Sequence, residues 1–249
     1  MAQKRFLITT LVIGEEIEAL AEYTLPTMRD YAQKVGADFK VMGKTGISET
    51  LSPYYEKNQI FDFFEEYEKV LYIDSDILVS PDAPDLFSLH EGDRVMAIEV
   101  ENVYKAAMNE KNALNSTLGD VEWTAKYFNS GVVLFTDKYK SLLNTTDGLI
   151  DKWIDAKKNG LVSGLNDQSI FNYRVNQHNI PMQYVDRSFN YTKAWGSFNQ
   201  RFSKYFIHYA GLKGRRLKMI KRDSALLKST AMRKLLSKSP VLVSILDKF

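Results

Sequence analysis

The sequence predicts an α/β protein with a mixed, mostly parallel sheet flanked by helices. Three features of the chain carry this reading. It opens strand, helix, strand; short apolar runs then alternate with amphipathic ones as far as residue 209; and one apolar run ends in two carboxylates two residues apart. A strand that returns beside itself through a helix makes parallel neighbours with helices on their faces.

The elements follow in order. Phe6 to Ile13 is short, apolar and β-branched, the pattern of a buried strand. From Glu15 to Val35, residues Ile17, Leu20, Ala21, Thr24, Leu25, Met28, Tyr31 and Ala32 recur at steps of three and four, which predicts a helix. Pro26 is expected to kink or split it and Gly36 to stop it. Asp38 to Val41 reads as the second strand. Ser52-Pro53 opens a helix over Tyr54 to Tyr67, Lys69 to Ile73 is the third strand, and Val95 to Val100 is strand-like. Residues 101–126 are polar and mixed, with no assignable period. Asn129 to Phe135 reads as a strand, Gly148 to Lys158 and Asp167 to Asn176 as helices, and Met182 to Val185 and Phe206 to Tyr209 as short strands.

The chain of 249 residues suffices for one large domain or two small ones. It has no cysteine, which excludes a disulfide scaffold, a thiolate metal site and a Cys nucleophile. No apolar run approaches the roughly 20 residues that span a bilayer. The basic start followed by Phe6-Leu7-Ile8 runs at once into Glu15, Glu16 and Glu18 without a small-residue cleavage site, so it reads as a first strand and a cytoplasmic protein is expected. The net charge of +2 hides a split: residues 213–249 hold eleven Lys and Arg against two Asp and Glu, a surplus of nine, so the remainder carries seven net negative charges.

The segment Val70-Leu71-Tyr72-Ile73-Asp74-Ser75-Asp76-Ile77-Leu78-Val79 is the most informative. In extended chain, positions i and i+2 share a face, so Asp74 and Asp76 can aim at one point. The carboxyl ends of parallel strands are where α/β folds bind ligands. Two adjacent carboxylates need a counter-charge, and a divalent cation able to hold an anionic diphosphate is the natural one. The plain alternative is a solvated turn containing two Asp.

This segment resembles the metal-binding stretch of GT-A glycosyltransferases, most closely family 8, the glycogenin and lipopolysaccharide galactosyltransferase group. Three further segments agree in type and order: Tyr127-Phe128-Asn129-Ser130-Gly131-Val132-Val133-Leu134, Asn166-Asp167-Gln168-Ser169-Ile170-Phe171-Asn172, and His208-Tyr209-Ala210-Gly211-Leu212-Lys213. The resemblance implies a GT-A domain over residues 1–213 with a Rossmann-like sheet, followed by a basic helical tail over 214–249. It implies Asp74, Asp76 and His208 as ligands of Mn²⁺ (or Mg²⁺), and a nucleotide-sugar donor, a UDP-sugar by likeness. Thr9, Thr10, Lys57, Ser75, Asn129 and Lys213 are then donor-binding residues, and Asp167 and Gln168 lie at the sugar, Gln168 near the anomeric carbon. Each has an ordinary alternative: Asp167 as a helix cap, Lys57 as a solvated helix residue, Asn129 as a turn residue, His208 as a core histidine.

The implied activity is transfer of a sugar from a nucleoside-diphosphate sugar to a glycan or lipid-linked acceptor, with retention. A nucleotidyltransferase is the alternative enzyme, although residues 10–16 offer one Gly and no Lys or Arg for the basic loop that chemistry uses. A non-catalytic sugar-nucleotide-binding module is the other. Three departures stand out. Ser169 replaces the second acid of the family's Asp-Gln-Asp; Gly214-Arg215-Arg216 stands where Lys-Pro-Trp is usual; and Leu11-Val12-Ile13-Gly14 stands where Ala-Asp-Asp is common. Arg215 or Arg216 could serve the diphosphate in place of Lys213. In the tail, Ser224 to Leu236 is expected to form a helix, ended by Pro240, with Val241 to Leu246 apolar. This suits peripheral contact with an anionic membrane, or docking on the acidic body. Nucleic acid is not an expected partner, since no base-reading motif accompanies the basic run.

Overall fold

The computed structural model describes residues 5–46, 52–212 and 214–248. In chain order the elements are β1 (Phe6–Leu11), α1 (Glu15–Val35), β2 (Asp38–Met42), α2 (Ile60–Phe63), β3 (Lys69–Ile73), β4 (Ile77–Val79), α3 (Leu86–Leu89), β5 (Val95–Glu99), α4 (Ala107–Leu118), β6 (Phe128–Thr136), α5 (Leu149–Lys158), α6 (Asp167–Gln177), β7 (Met182–Tyr184), β8 (Phe206–His208), α7 (Arg216–Lys228), α8 (Thr230–Lys238) and α9 (Pro240–Leu246). The protein is mixed α/β, a mostly parallel sheet flanked by helices. Among the described residues no helix is long and apolar enough to cross a membrane.

The chain divides into two compact units that interleave along the sequence. One comprises Met1–Phe6, Met42–Tyr72 and His90–Val185; the other comprises Leu7–Val41, Ile73–Leu89 and Asp186–Phe249. In the first, β3, β6, β5 and β7 lie side by side in that order. β5 runs parallel to β7 and antiparallel to β6. Its register on β6 jumps from Ala97 opposite Val133 to Ile98 opposite Asn129. Residues 130–132 therefore pass without a partner in β5, and the backbone there is released for other work. The core of this unit includes Tyr55, Leu114, Leu149, Ile150, Trp153, Ile170 and Tyr173.

In the second unit β2 lies beside β1, and β4 pairs antiparallel with β8. α1 runs unsplit through Pro26 and stops at Gly36, whose φ of 69° is one that glycine adopts without a Cβ clash. Leu20, Leu78, Ile207, Tyr209, Ile220, Leu227, Leu236 and Val243 share one core, so α7, α8 and α9 contribute buried residues to this unit. Arg201, fully buried, is held by Asp223 (Nε to Oδ2 2.6 Å) and Asp247 (Nη2 to Oδ1 2.8 Å). Arg233 is likewise buried and pairs with Asp82 (Nε to Oδ2 2.7 Å).

Several expected elements differ. The helix expected over Tyr54 to Tyr67 is a 3-10 stretch, Pro53–Gln59, followed by the short α2. Its buried Asn58 bonds locally, donating to the Tyr55 carbonyl at 2.8 Å, and such a local bond competes with a regular helix. Its buried Glu56 accepts from the hydroxyl of Thr45, eleven residues earlier, at 2.7 Å. Residues 101–126 contain α4. The tail is three helices, broken where Ser229 caps α8 and Ser239 caps α9 through their side chains. α8 ends at Lys238, just before Pro240 as expected, and Pro240 itself occupies the first turn of α9, where its missing N–H costs nothing.

Candidate active site

The second unit holds a carboxylate and imidazole cluster. The turn after β3 closes when Ile77 N–H donates to Asp74 O at 3.1 Å. Ile77 then faces His208 across the β4–β8 pair, and Tyr209 N–H donates to Asp76 O at 3.1 Å. This register sets the imidazole against both carboxylates. His208 Nε2 lies 3.1 Å from Asp76 Oδ1 and 3.7 Å from Asp74 Oδ2, and the three ligand atoms fall within 4.8 Å of one another. Ser75, between the two Asp, is pinned by its carbonyl, which accepts from Thr24 Oγ1 of α1 at 2.7 Å.

The cluster is oriented from outside. His208 Nδ1 lies 2.7 Å from Oδ1 of Asn190, which is completely buried. The Asn190 oxygen accepts from Nδ1–H, which fixes the ring and leaves Nε2 facing the two Asp. Arg216 Nη1 sits 3.0 Å from Asp76 Oδ2, and its Nη2 sits 2.5 Å from Glu16 Oε1. Burial alone would raise the Asp76 carboxyl, but His208 and Arg216 outweigh it and hold it down at about 2.

The first unit holds a second polar cluster. Lys57 Nζ meets Asp167 Oδ2 at 2.8 Å and the Ser130 carbonyl at 3.3 Å, and it lies 4.5 Å from the centre of the Tyr72 ring. The Ser130 hydroxyl donates to the same Asp167 oxygen at 2.9 Å. Gln168 Oε1 accepts from Asn129 Nδ2 at 3.0 Å and from Ser130 N–H at 3.2 Å, and Asn129 Oδ1 accepts from Gly131 N–H at 2.9 Å. The backbone groups used here are those that the register jump in β6 releases. Asn172 of α6 bonds both the N–H and the carbonyl of Phe128, tying α6 to β6. Asp167 does not cap α6: its carboxylate is spent on Lys57 and Ser130, and Asn166, at the cap position, makes no side-chain cap bond.

The remaining expected residues are placed as follows. Thr9 and Thr10 are completely buried in β1. Thr9 Oγ1 donates to the Lys40 carbonyl at 3.0 Å, while Thr10 Oγ1 has no partner among the described residues. Lys213 lies outside the described residues. Arg215 is drawn to the Asp247 carbonyl at 2.6 Å.

The model of glycosyl transferase family 8 matches residues 39–214, which include Asp74, Asp76, Asn190 and His208 and the whole cluster around Asp167, but not Glu16, Thr24 or Arg216. The chain belongs to glycosyl transferase family 8. It is a glycosyltransferase with the GT-A fold. Among solved structures, a glycosyltransferase involved in the glycosylation of the major capsid of PBCV-1 superposes with a TM-score of 0.55 at 16% identity, over 88% of this chain and 99% of that one. The galactosyltransferase LgtC in complex with donor and acceptor sugar analogs gives 0.56 at 16% identity, over 90% and 97%. The apo bifunctional glycosyltransferase WbbM gives 0.57 at 15% identity, over 84% of this chain and 46% of that one. Likeness at these identities is one of fold. Among curated proteins none matches the sequence.

Within this family 8 chain, sequence reading missed Asn190 and Glu110. Glu110 is buried and accepts from Tyr104 Oη (2.8 Å), Tyr127 Oη (2.8 Å), Leu165 N–H (3.0 Å) and the Ser169 hydroxyl. Ser169 stands where the family has its second acid, and Glu110 brings a carboxylate to that hydroxyl from α4. An Asn in a short 3-10 turn and a Glu in an aperiodic stretch carry no signal of their own.

Proposed function

We propose that this glycosyltransferase moves a sugar from a UDP-sugar to a glycan or lipid-linked acceptor, with retention, using Mn²⁺ (or Mg²⁺) held by Asp74, Asp76 and His208. One observation carries the reading: two carboxylates and an imidazole nitrogen converge within 4.8 Å, with the imidazole oriented by Asn190. Acceptor atoms so close repel unless a cation or a proton lies among them, and two oxygens with one nitrogen suit a hard-to-borderline divalent ion. When bound, such an ion supplies Lewis acidity toward the leaving diphosphate.

The chain's own residues supply the rest by holding and orienting. Asp167 and Gln168 are proposed to hold the donor sugar, with Asn129 fixed on Gln168 and Lys57 fixed on Asp167. In this cluster each of these four side chains is locked by at least one hydrogen bond before any ligand arrives, which favours positioning over induced rearrangement. Ser75 is proposed to line the nucleotide, while Thr9 and Thr10, completely buried in β1, are left to support that strand from within.

The test is donor hydrolysis without acceptor, followed with added Mn²⁺. Wild type should release the nucleoside diphosphate, and Asp76→Asn should release almost none; full activity in that variant would overturn the metal assignment. Formation of a sugar nucleotide from sugar phosphate and nucleoside triphosphate would instead favour a nucleotidyltransferase.

Peripheral membrane contact through residues 214–249 is proposed on a separate observation. Leu235, Val241 and Ile245 are exposed, Val241 at 72%, beside exposed Lys234, Lys238 and Lys248. Apolar side chains flanked by lysines suit an anionic lipid surface.

A further inference from the structure

Both oxygens of Asp76 are engaged. Oδ1 faces His208 Nε2 at 3.1 Å, and Oδ2 is taken by the Arg216 guanidinium at 3.0 Å. Arg216 is in turn gripped at its other nitrogen by Glu16 at 2.5 Å, a mostly exposed carboxylate of α1. The guanidinium thus bridges an inner and an outer carboxylate at the first residue of α7. A charge on a helix side chain has no need to reach a buried carboxylate unless that carboxylate otherwise lacks a counter-ion.

We infer that Arg216 is the resident counter-ion of Asp76 and competes with the divalent cation for it, so that the cation binds tightly only together with an anionic diphosphate. The inference rests on the metal reading above. Two physical routes lead to the same outcome. If the cation needs Asp76 Oδ2, Arg216 must leave. If it needs only Oδ1, Arg216 stays on the same carboxylate, drains its basicity and repels the cation from one side. In both cases a positive charge opposes the ion, and a diphosphate anion relieves the opposition by offering Arg216 another acceptor. A guanidinium suits that exchange, since its planar fork matches carboxylate and phosphate oxygens alike. Cation and diphosphate would then bind with positive coupling, each tightening the other.

The experiment uses the full chain stripped of metal, with Mn²⁺ as probe and free ion read by its paramagnetic resonance signal. Wild type, Arg216→Gln, Arg216→Met and Asp76→Asn are titrated alone and with saturating uridine diphosphate, correcting for the complex that the ion and the nucleotide form in solution. Wild type should bind Mn²⁺ weakly alone and tighten with the diphosphate. Arg216→Gln and Arg216→Met should each bind Mn²⁺ alone about tenfold tighter than wild type and lose most of the coupling, within the range of about 5- to 150-fold common for coupled sites. Equal or weaker Mn²⁺ binding in a folded Arg216 variant, or coupling as large as in wild type, overturns the inference. Asp76→Asn separates the two levels: if it leaves Mn²⁺ binding intact the metal reading fails, whereas if it abolishes binding while Arg216→Gln matches wild type, only the role of Arg216 fails.

Discussion

Lys57 and Asp167, 110 residues apart, meet as a buried ion pair with Nζ 2.8 Å from Oδ2 and almost no side-chain exposure on either side. Removing one partner strands a charge away from water. Lys57→Met should therefore cost about 3–5 kcal/mol of stability. The urea midpoint at neutral pH measures it. A loss below about 1 kcal/mol, the value typical of an exposed pair, would show that the pair is hydrated.

Asn190 acts on His208 through Nδ1. Asn190→Ala should weaken Mn²⁺ binding by about 10–100-fold, the usual loss when the partner behind a metal-binding histidine is removed. Calorimetric titration of the metal-free chain reads it, and Asn190→Asp should retain most of the affinity.

The Asp76 carboxyl sits at about 2 in the folded chain, below its ordinary 3.8. A depressed carboxyl contributes stability that is present above its unfolded value and is lost as pH falls through the folded one. The metal-free protein should therefore lose stability between about pH 4 and pH 2, and Asp76→Asn should flatten that part of the profile. Denaturation midpoints taken across the acid range decide it; parallel profiles for the two proteins would contradict the assignment.

A Cβ on Gly164 would lie 2.5 Å from Trp153 Cζ2 and 3.2 Å from the Glu110 carboxylate. Trp153 is completely buried and cannot swing clear. Gly164→Ala should cost about 1–3 kcal/mol by overpacking. The strain falls on Glu110, which holds Leu165 and Ser169, so the variant should also lower donor turnover more than it raises KM.

Exposed apolar side chains of α9 are predicted to mediate lipid contact. Val241→Asp with Ile245→Asp should reduce sedimentation with anionic vesicles several-fold and leave donor hydrolysis unchanged. Unaltered sedimentation would retire the proposal. Substitution is the sound design here, because truncating α7 to α9 would remove Asp223 and Asp247 and leave Arg201 buried without its carboxylates.

Apart from β4, the strands and α1 were legible because mostly apolar side chains, with a few threonines such as Thr9, Thr10 and Thr24 among them, line their buried faces. Residues 101–126 were not, because α4 turns Glu110 and Lys111 inward and so breaks the apolar period that marks a helix. α6 was found by its ends rather than its face: Asn172, Arg174 and Asn176 are all buried, and polar residues conceal an inward side. In the cluster around Lys57 and Asp167, Asp167, Gln168 and Asn129 stood in recognisable segments. The β6 register jump that supplies their backbone partners is a matter of pairing, invisible in a single strand. Asp74 and Asp76 could be read from a two-residue spacing at a strand end. That Arg216 lies on Asp76, 140 residues away, depends on where α7 begins, and its neighbouring sequence announces only a basic run.

Arg201 has a consequence for how the chain is made. Its partners follow it by 22 and 46 residues. During synthesis the guanidinium emerges well before Asp223 and longer still before Asp247. Until both have cleared the ribosome, that arginine must stay hydrated, and the core that covers it cannot close. Completion of the second unit, and with it the final seating of His208 against the two Asp, therefore waits on Asp223 and Asp247, residues that follow His208 in the chain and lie outside the cluster they help to set.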